Sequence, residues 1–253
     1  MQSAPGLALR LAPLLALIVV IAVNAAANML PINGVRTGEI SALYPTGFTP
    51  AGWVFSIWSL IYLGLLVFAL AALFGSMAIR RRAAALTPLF LINSAANIGW
   101  IFAWHYQHIG LSLALMGVIL TTLIAITMKL RRRPRQGWSG RVLVDAPFSL
   151  YFGWATTAAL ANLANWFYDR QSWPLGLAMD EWALVTVVIA TAVYIWMTTV
   201  TRDLIYGAVF LWVAAGIYLR TEGIVESVQL VAAAGGAMVA LAIVLAAFRR
   251  SLH

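Results

Sequence analysis

Residues 83–128 read AAALTPLFLINSAANIGWIFAWHYQHIGLSLALMGVILTTLIAITM, and this stretch between Arg82 and Lys129 contains no Asp, Glu, Lys or Arg. A membrane-spanning helix takes about 20 predominantly apolar residues. The 46 residues therefore hold two spans, 85–105 and 109–129, with a short turn between them. The same signature recurs outward along the chain. No charge lies between Arg10 and Arg36, and none between Glu39 and Arg80.

Composition leads to the same class. Of 253 residues, 63% are hydrophobic and 9% are charged, whereas a soluble domain carries about 25% charge. So few charges cannot cover a soluble fold, but a bilayer solvates apolar side chains directly. The reading is all-α: a polytopic transmembrane helical bundle of about eight spans, at 9–30, 51–75, 85–105, 109–129, 145–167, 182–201, 204–220 and 225–248. The first segment is longer than the usual signal-peptide core of about 7–15 apolar residues and is read as a retained helix. The absence of cysteine excludes disulfides and thiolate chemistry. The net charge of +8 is read as a topology signal, not as nucleic-acid binding. With eight spans, one side holds 13 basic residues: Arg10, Arg80, Arg81, Arg82, Lys129, Arg131, Arg132, Arg133, Arg135, Arg141, Arg202, Arg249 and Arg250. The other holds 3, Arg36, Arg170 and Arg220. Both termini are therefore expected in the cytoplasm, in a bacterial inner membrane, with the loop 31–50 outside. That loop is rich in Pro, Gly and aromatic residues, as an ordered cap would be. The basic loop near 129–141 makes anionic lipid a secondary partner.

Three helices carry aromatic stripes. Phe55, Trp58 and Tyr62 fall at i, i+3, i+7, one helix face. Asn93, Asn97, Trp100 and Trp104 do the same in the third span, and Tyr151, Trp154, Ala158 and Asn162 in the fifth. An Asn amide inside a bilayer is costly without a partner. Two readings follow from the spacing and both stand: the asparagines glue helices together, or the stripes converge on a pocket for a flat hydrophobic ligand with polar edges. Trp53, Trp138, Trp166, Trp173 and Trp182 sit near span ends and read as an interfacial belt. Small residues in span five, Gly153 and Ala155 among them, suit close packing within the bundle or in a homodimer.

Chemical candidates are few. Asp145 and Glu226 lie near span ends, where snorkelling to water is the default. His105 and His108 are two metal-type ligands with no third nearby, so no metal site and no cofactor are expected. No nucleophile motif appears.

The stretch Phe48-Thr-Pro-Ala-Gly-Trp53-Val-Phe55-Ser-Ile-Trp58-Ser-Leu-Ile-Tyr62 resembles the second-helix signature of the tryptophan-rich sensory protein (TspO/MBR) family, also called the translocator or peripheral benzodiazepine receptor family. Asn93-x3-Asn97-x2-Trp100 resembles its third-helix pattern, and Tyr151-x2-Trp154-x7-Asn162 its fifth. The chain departs from the pattern at Phe48 (Trp in the family), Ala51 (Pro) and Asn93 (Gln). The resemblance covers about residues 9–168 and implies a five-helix core, 1–168; the chain departs from the family by adding about three further helices over 180–253. It implies binding of porphyrins, haem precursors or sterol-like and drug-like hydrophobics, in a pocket capped by the first loop, for sensing or transport. By the resemblance and the stripes together, the expected ligand-binding residues are Phe48, Pro50, Phe55, Trp58, Tyr62, Asn97, Trp100, Trp104, Tyr151, Trp154 and Asn162. Some members degrade porphyrin in light, and Trp58 and Trp154 occupy the positions implicated there. An intramembrane enzyme, degrading porphyrin or acting on lipid through Asp145 or Glu226, is the alternative. An assembly role for spans six to eight is a third reading.

Overall fold

A computed structural model describes residues 4–132, 137–220 and 225–251. Arg133 and Arg135 of the basic loop, and the terminal His253, lie outside these. Eight long helices account for most of the described chain: α1 (Leu7–Met29), α2 (Ile57–Phe74), α3 (Met77–His105), α4 (Ile109–Arg131), α5 (Ala146–Asp169), α6 (Met179–Thr201), α7 (Leu204–Tyr218) and α8 (Glu226–Ser251). No strand occurs among the described residues. Among the described residues six segments are long and apolar enough to cross a membrane: α1, Gly52–Phe74 (which includes α2), α3, α4, α6 and Glu226–Arg249 within α8. The protein is therefore an integral membrane protein.

The two remaining expected spans are helices of another kind. With 15 residues, α7 reaches only about 22 Å, short of the roughly 30 Å hydrocarbon core. Helix α5 is long enough but is diluted by Thr156, Thr157, Asn162 and Asn165, all of them buried. Its polar groups are turned into protein, so its sequence need not be as apolar as a lipid-facing helix.

Local chemistry sets the breaks. Ser76 Oγ accepts from the Ile79 amide and caps α3, whose first turns carry Arg80, Arg81 and Arg82. Gln107 takes a left-handed conformation (φ 55°) between α3 and α4. Arg202 does so (φ 53°) at the end of α6, after which Asp203 Oδ1 caps α7 by accepting from the Tyr206 amide at 3.1 Å.

Contacts divide the chain into two compact units. The first comprises residues 1–37 and 57–152, the second 38–56 and 153–253, so α5 passes from one to the other between Phe152 and Gly153. In the first unit α1 packs on α2 and α3, and α3 pairs along its length with α4. Phe68, Phe90 and Phe148 form a triangle of edge-to-face rings at its core, with centroids 4.7 to 6.1 Å apart. In the second unit α8 lies against both α6 and α7. Glycines set the spacing there: a Cβ on Gly153 would lie 2.8 Å from Val209 Cγ2, and one on Gly235 would collide with Thr191 Oγ1. Small residues permit this close approach of helix backbones.

Candidate functional site

Within the first unit the structure brings five of the expected residues into two aromatic groups, with Asn97 beside one of them. Trp58 stacks on Tyr62, one turn along α2, with centroids 5.4 Å apart and planes 25° off parallel. Trp58 also meets Tyr151 of α5 at 5.9 Å, tilted by 61°. Asn97 of α3 donates to the Tyr151 hydroxyl at 3.4 Å and accepts from Asn24 Nδ2 of α1 at 3.0 Å. Trp100 and Trp104 stack on each other, 5.8 Å apart and 12° off parallel. Trp104 Nε1 also donates to the Thr37 carbonyl.

A small cavity adjoins the first of these groups. Leu17 and Val20 of α1, Tyr62 and Leu65 of α2, Asn93, Ser94 and Asn97 of α3, and Tyr151 line it. Its free volume is about 10 Å³, roughly the room one water needs. The Tyr62 hydroxyl is buried and makes no hydrogen bond. A buried hydroxyl without a partner costs about 1–3 kcal/mol, so this wall of the cavity has an unmet polar demand. Asn93 is satisfied on α4 instead, donating to the Ile119 carbonyl at 3.1 Å and to Thr122 Oγ1 at 2.8 Å.

Phe48, Pro50, Phe55, Trp154 and Asn162 belong to the second unit. Phe55 lies in a 3₁₀ turn, Gly52–Ser56, before α2 begins. The helical spacing that would put it on one face with Trp58 therefore does not apply. It meets Trp154 edge-to-face at 5.7 Å. Phe48 is fully enclosed and Pro50 is buried, and Asn162 donates back to the Ala158 carbonyl of its own helix at 2.9 Å.

Of the remaining candidates, Asp145 and His105 have structural partners. Arg82, only 2% exposed, pairs with Asp145 (24% exposed) at 2.7 Å. Glu226 is exposed. His105, wholly buried, uses both ring nitrogens, Nε2 with Thr37 Oγ1 at 2.9 Å and Nδ1 with the Ile32 carbonyl at 3.1 Å. A carbonyl only accepts, so Nδ1 donates the bond to Ile32. No cluster of three or more His, Cys, Asp or Glu occurs among the described residues. Trp173 and Trp182, read from sequence as belt residues, gather around Phe167 at 6.2 and 5.5 Å. They line a separate cavity of about 30 Å³ in the second unit.

The chain matches the TSPO-like protein family over residues 10–246. It belongs to that family. Neither a curated protein nor a solved structure matches it. The matched stretch of this TSPO-like protein runs well past residue 168 and takes in the C-terminal helices.

The second unit shows what one of those helices does. The segment 48–54, part of the expected cap, is strapped to α7. Arg220 Nη1 donates to the Thr49 carbonyl at 2.6 Å, the Ala51 amide to the Gly216 carbonyl at 3.1 Å, and Trp212 Nε1 to the Val54 carbonyl at 3.0 Å. Trp53 closes edge-on against Trp212 at 4.6 Å. Asn24, Trp212 and Gly216 lie outside the residues that the sequence points to for the site. Asn24 carried a signal, being a polar amide in an otherwise apolar span.

Proposed function

We propose that this TSPO-like protein binds a flat hydrophobic ligand bearing polar edges, a porphyrin or haem precursor first among them, and acts as its sensor or translocator. One observation carries the reading. Trp58, Tyr62 and Tyr151 form an aromatic wall beside Asn97, and the wall carries a buried hydroxyl with no hydrogen-bond partner. Aromatic faces suit a planar macrocycle, because offset stacking adds about 0.5–1.5 kcal/mol per pair beyond area burial. The Tyr62 hydroxyl and Asn97 supply hydrogen bonds for the edge. Small-molecule sites usually enclose about 300–1,000 Å³, so ligand entry must part the helices around the present cavity. Phe48, Pro50, Phe55, Trp154 and Asn162, which belong to the second unit, are assigned to ligand binding on the family resemblance alone. Recognition is placed in 1–168, and a bracing role in 180–253, since α7 holds the strap. The protein is placed in a bacterial inner membrane with both termini cytoplasmic, on the 13-to-3 basic asymmetry.

Tryptophan-fluorescence quenching of the purified protein by porphyrins, sterols and carotenoids tests the reading. Porphyrin should quench saturably. Trp58→Ala should weaken binding by about 1–3 kcal/mol, the scale of a lost large apolar contact. Changes at Trp138, 79% exposed, should leave affinity unaltered. Equal effects at both positions would mean general membrane anchoring, and no saturable quenching by any of the three classes would remove the ligand assignment.

A further inference from the structure

Basic residues crowd the end of the first unit where α2 turns into α3, and four of them, Arg10, Arg80, Arg81 and Arg82, have a buried Nε with no hydrogen-bond partner. Arg82 has Asp145 for its charge, and Arg10 and Arg80 make the pair at the turn. Arg10 of α1 does not extend into solvent. Its Nη2 donates to the carbonyl of Leu73 in the last turn of α2, and its Nε is buried with no hydrogen-bond partner. Arg80, one turn into α3, likewise has its Nε buried and unpartnered, and both side chains are half-buried. Arginines at span ends ordinarily snorkel to water. These two flank the Gly75-Ser76 turn with their Nε atoms sheltered from water.

The local field makes the arrangement worse without an anion. The N-terminus of α3 carries the positive end of the helix dipole. No acidic residue stands in its first turn, and Arg81 and Arg82 add further positive charge. Arg82 is paired with Asp145, so that carboxylate is already committed. Sheltered positive charge needs a counter-charge and acceptors for its N–H groups. A phosphate diester supplies both, and its oxygens match the guanidinium fork.

The surroundings select the source of that phosphate. Phe74 (75% exposed), Leu70 and Met77 are exposed on the same turn and its flanks, and Leu7 is exposed one turn before Arg10. Apolar surface next to sheltered arginines fits a headgroup with acyl chains attached, not a free ion. We propose that Arg10 and Arg80 form a binding site for the phosphodiester of an anionic phospholipid, whose chains lie along Leu70, Phe74 and Met77.

The test is native mass spectrometry of the full-length protein with dioctanoyl phosphatidylglycerol, dioctanoyl phosphatidylcholine and inorganic phosphate. Phosphatidylglycerol should be retained in preference to phosphatidylcholine, and equimolar phosphate should not displace it. R10Q combined with R80Q should lower affinity by about tenfold or more, the scale of one lost charge-assisted hydrogen bond. K129Q combined with R132Q removes the same charge from exposed positions and should change affinity by less than about twofold. Equal losses from the two pairs would overturn the site in favour of diffuse attraction. Competition by phosphate at the lipid's own concentration would overturn the lipid assignment. If the double variant does not fold, R80K and the wild-type headgroup preference still decide. A lysine keeps the charge but not the fork, so R80K should lose affinity. Unchanged binding by R80K together with no headgroup preference would sink the proposal.

Discussion

Gly216 and Val54 meet so closely that a Cβ on the glycine would collide with Val54 Cγ2 and lie 3.2 Å from Pro50 Cβ. The absent side chain is what lets the segment 48–54 lie flat on α7 and the Ala51 amide donate to the Gly216 carbonyl. Gly216→Ala should therefore lift the strap. We expect a destabilisation of about 1–3 kcal/mol, the usual cost of overpacking, with new proteolytic cleavage between residues 45 and 56. Gly52→Ala introduces the same methyl into open space and should do neither. Matching proteolysis patterns for the two variants would mean that the strap does not depend on this contact.

The Arg82–Asp145 pair makes a sharper stability prediction. Asp145→Asn leaves a buried guanidinium without its counter-charge and should cost about 3–5 kcal/mol, read as a lowered midpoint in thermal or detergent denaturation. Arg82→Met combined with Asp145→Leu removes both charges and should recover most of the loss, since apolar replacements of buried pairs are often near neutral. A double variant as unstable as Asp145→Asn would show that the ion pair itself, not the orphaned charge, carries the stability.

How these contacts escaped the sequence is instructive. Hydropathy located all eight helices because each is apolar over most of its length, and the edges mostly fall within a few residues. The largest error is at α3, expected from residue 85 and beginning at Met77. Hydropathy marks where a helix is apolar, not where it starts, and Arg80, Arg81 and Arg82 lie inside the helix behind the Ser76 cap. Stripe spacing recovered the Trp58–Tyr62 stack and the Trp100–Trp104 stack, which are local in sequence. It failed at Phe55, where a 3₁₀ turn replaces the assumed helix. Arg82–Asp145 and Trp212–Val54 join residues 63 and 158 positions apart, and no periodicity links such distant positions.

Tyr44, outside the membrane-spanning segments, provides a pH test. Burial raises its pKa above the ordinary 10.0, and the nearby Asp169 carboxylate raises it further. The folded state therefore retains the proton more strongly than the unfolded chain. That stability is fully present below pH 10 and is lost as pH rises from there through the raised folded value. Tyr44→Phe should flatten the alkaline limb of the stability curve while keeping the edge-on contact with Tyr168, 5.8 Å away. An unchanged limb would assign alkaline unfolding to other groups.

Asn97 can decide between the two roles that its spacing left open. It links three helices of the first unit, accepting from Asn24 of α1 and donating to Tyr151 of α5 from its place on α3. If it is glue alone, Asn97→Leu should destabilise by about 0.6 kcal/mol per lost hydrogen bond, the average for interhelical bonds in membranes. Ligand affinity would then follow only through that small shift. If Asn97 also orients a bound polar edge, the variant should lose porphyrin affinity by more than its stability loss accounts for. The comparison needs Asn24→Leu alongside, because that change removes the same Asn24–Asn97 bond without touching the face beside Tyr62 and Tyr151. Both variants should lower stability to a similar degree. A larger affinity loss for Asn97→Leu than for Asn24→Leu, measured by the same quenching titration, would assign Asn97 to the ligand. Equal affinities for the two would leave it as helix glue.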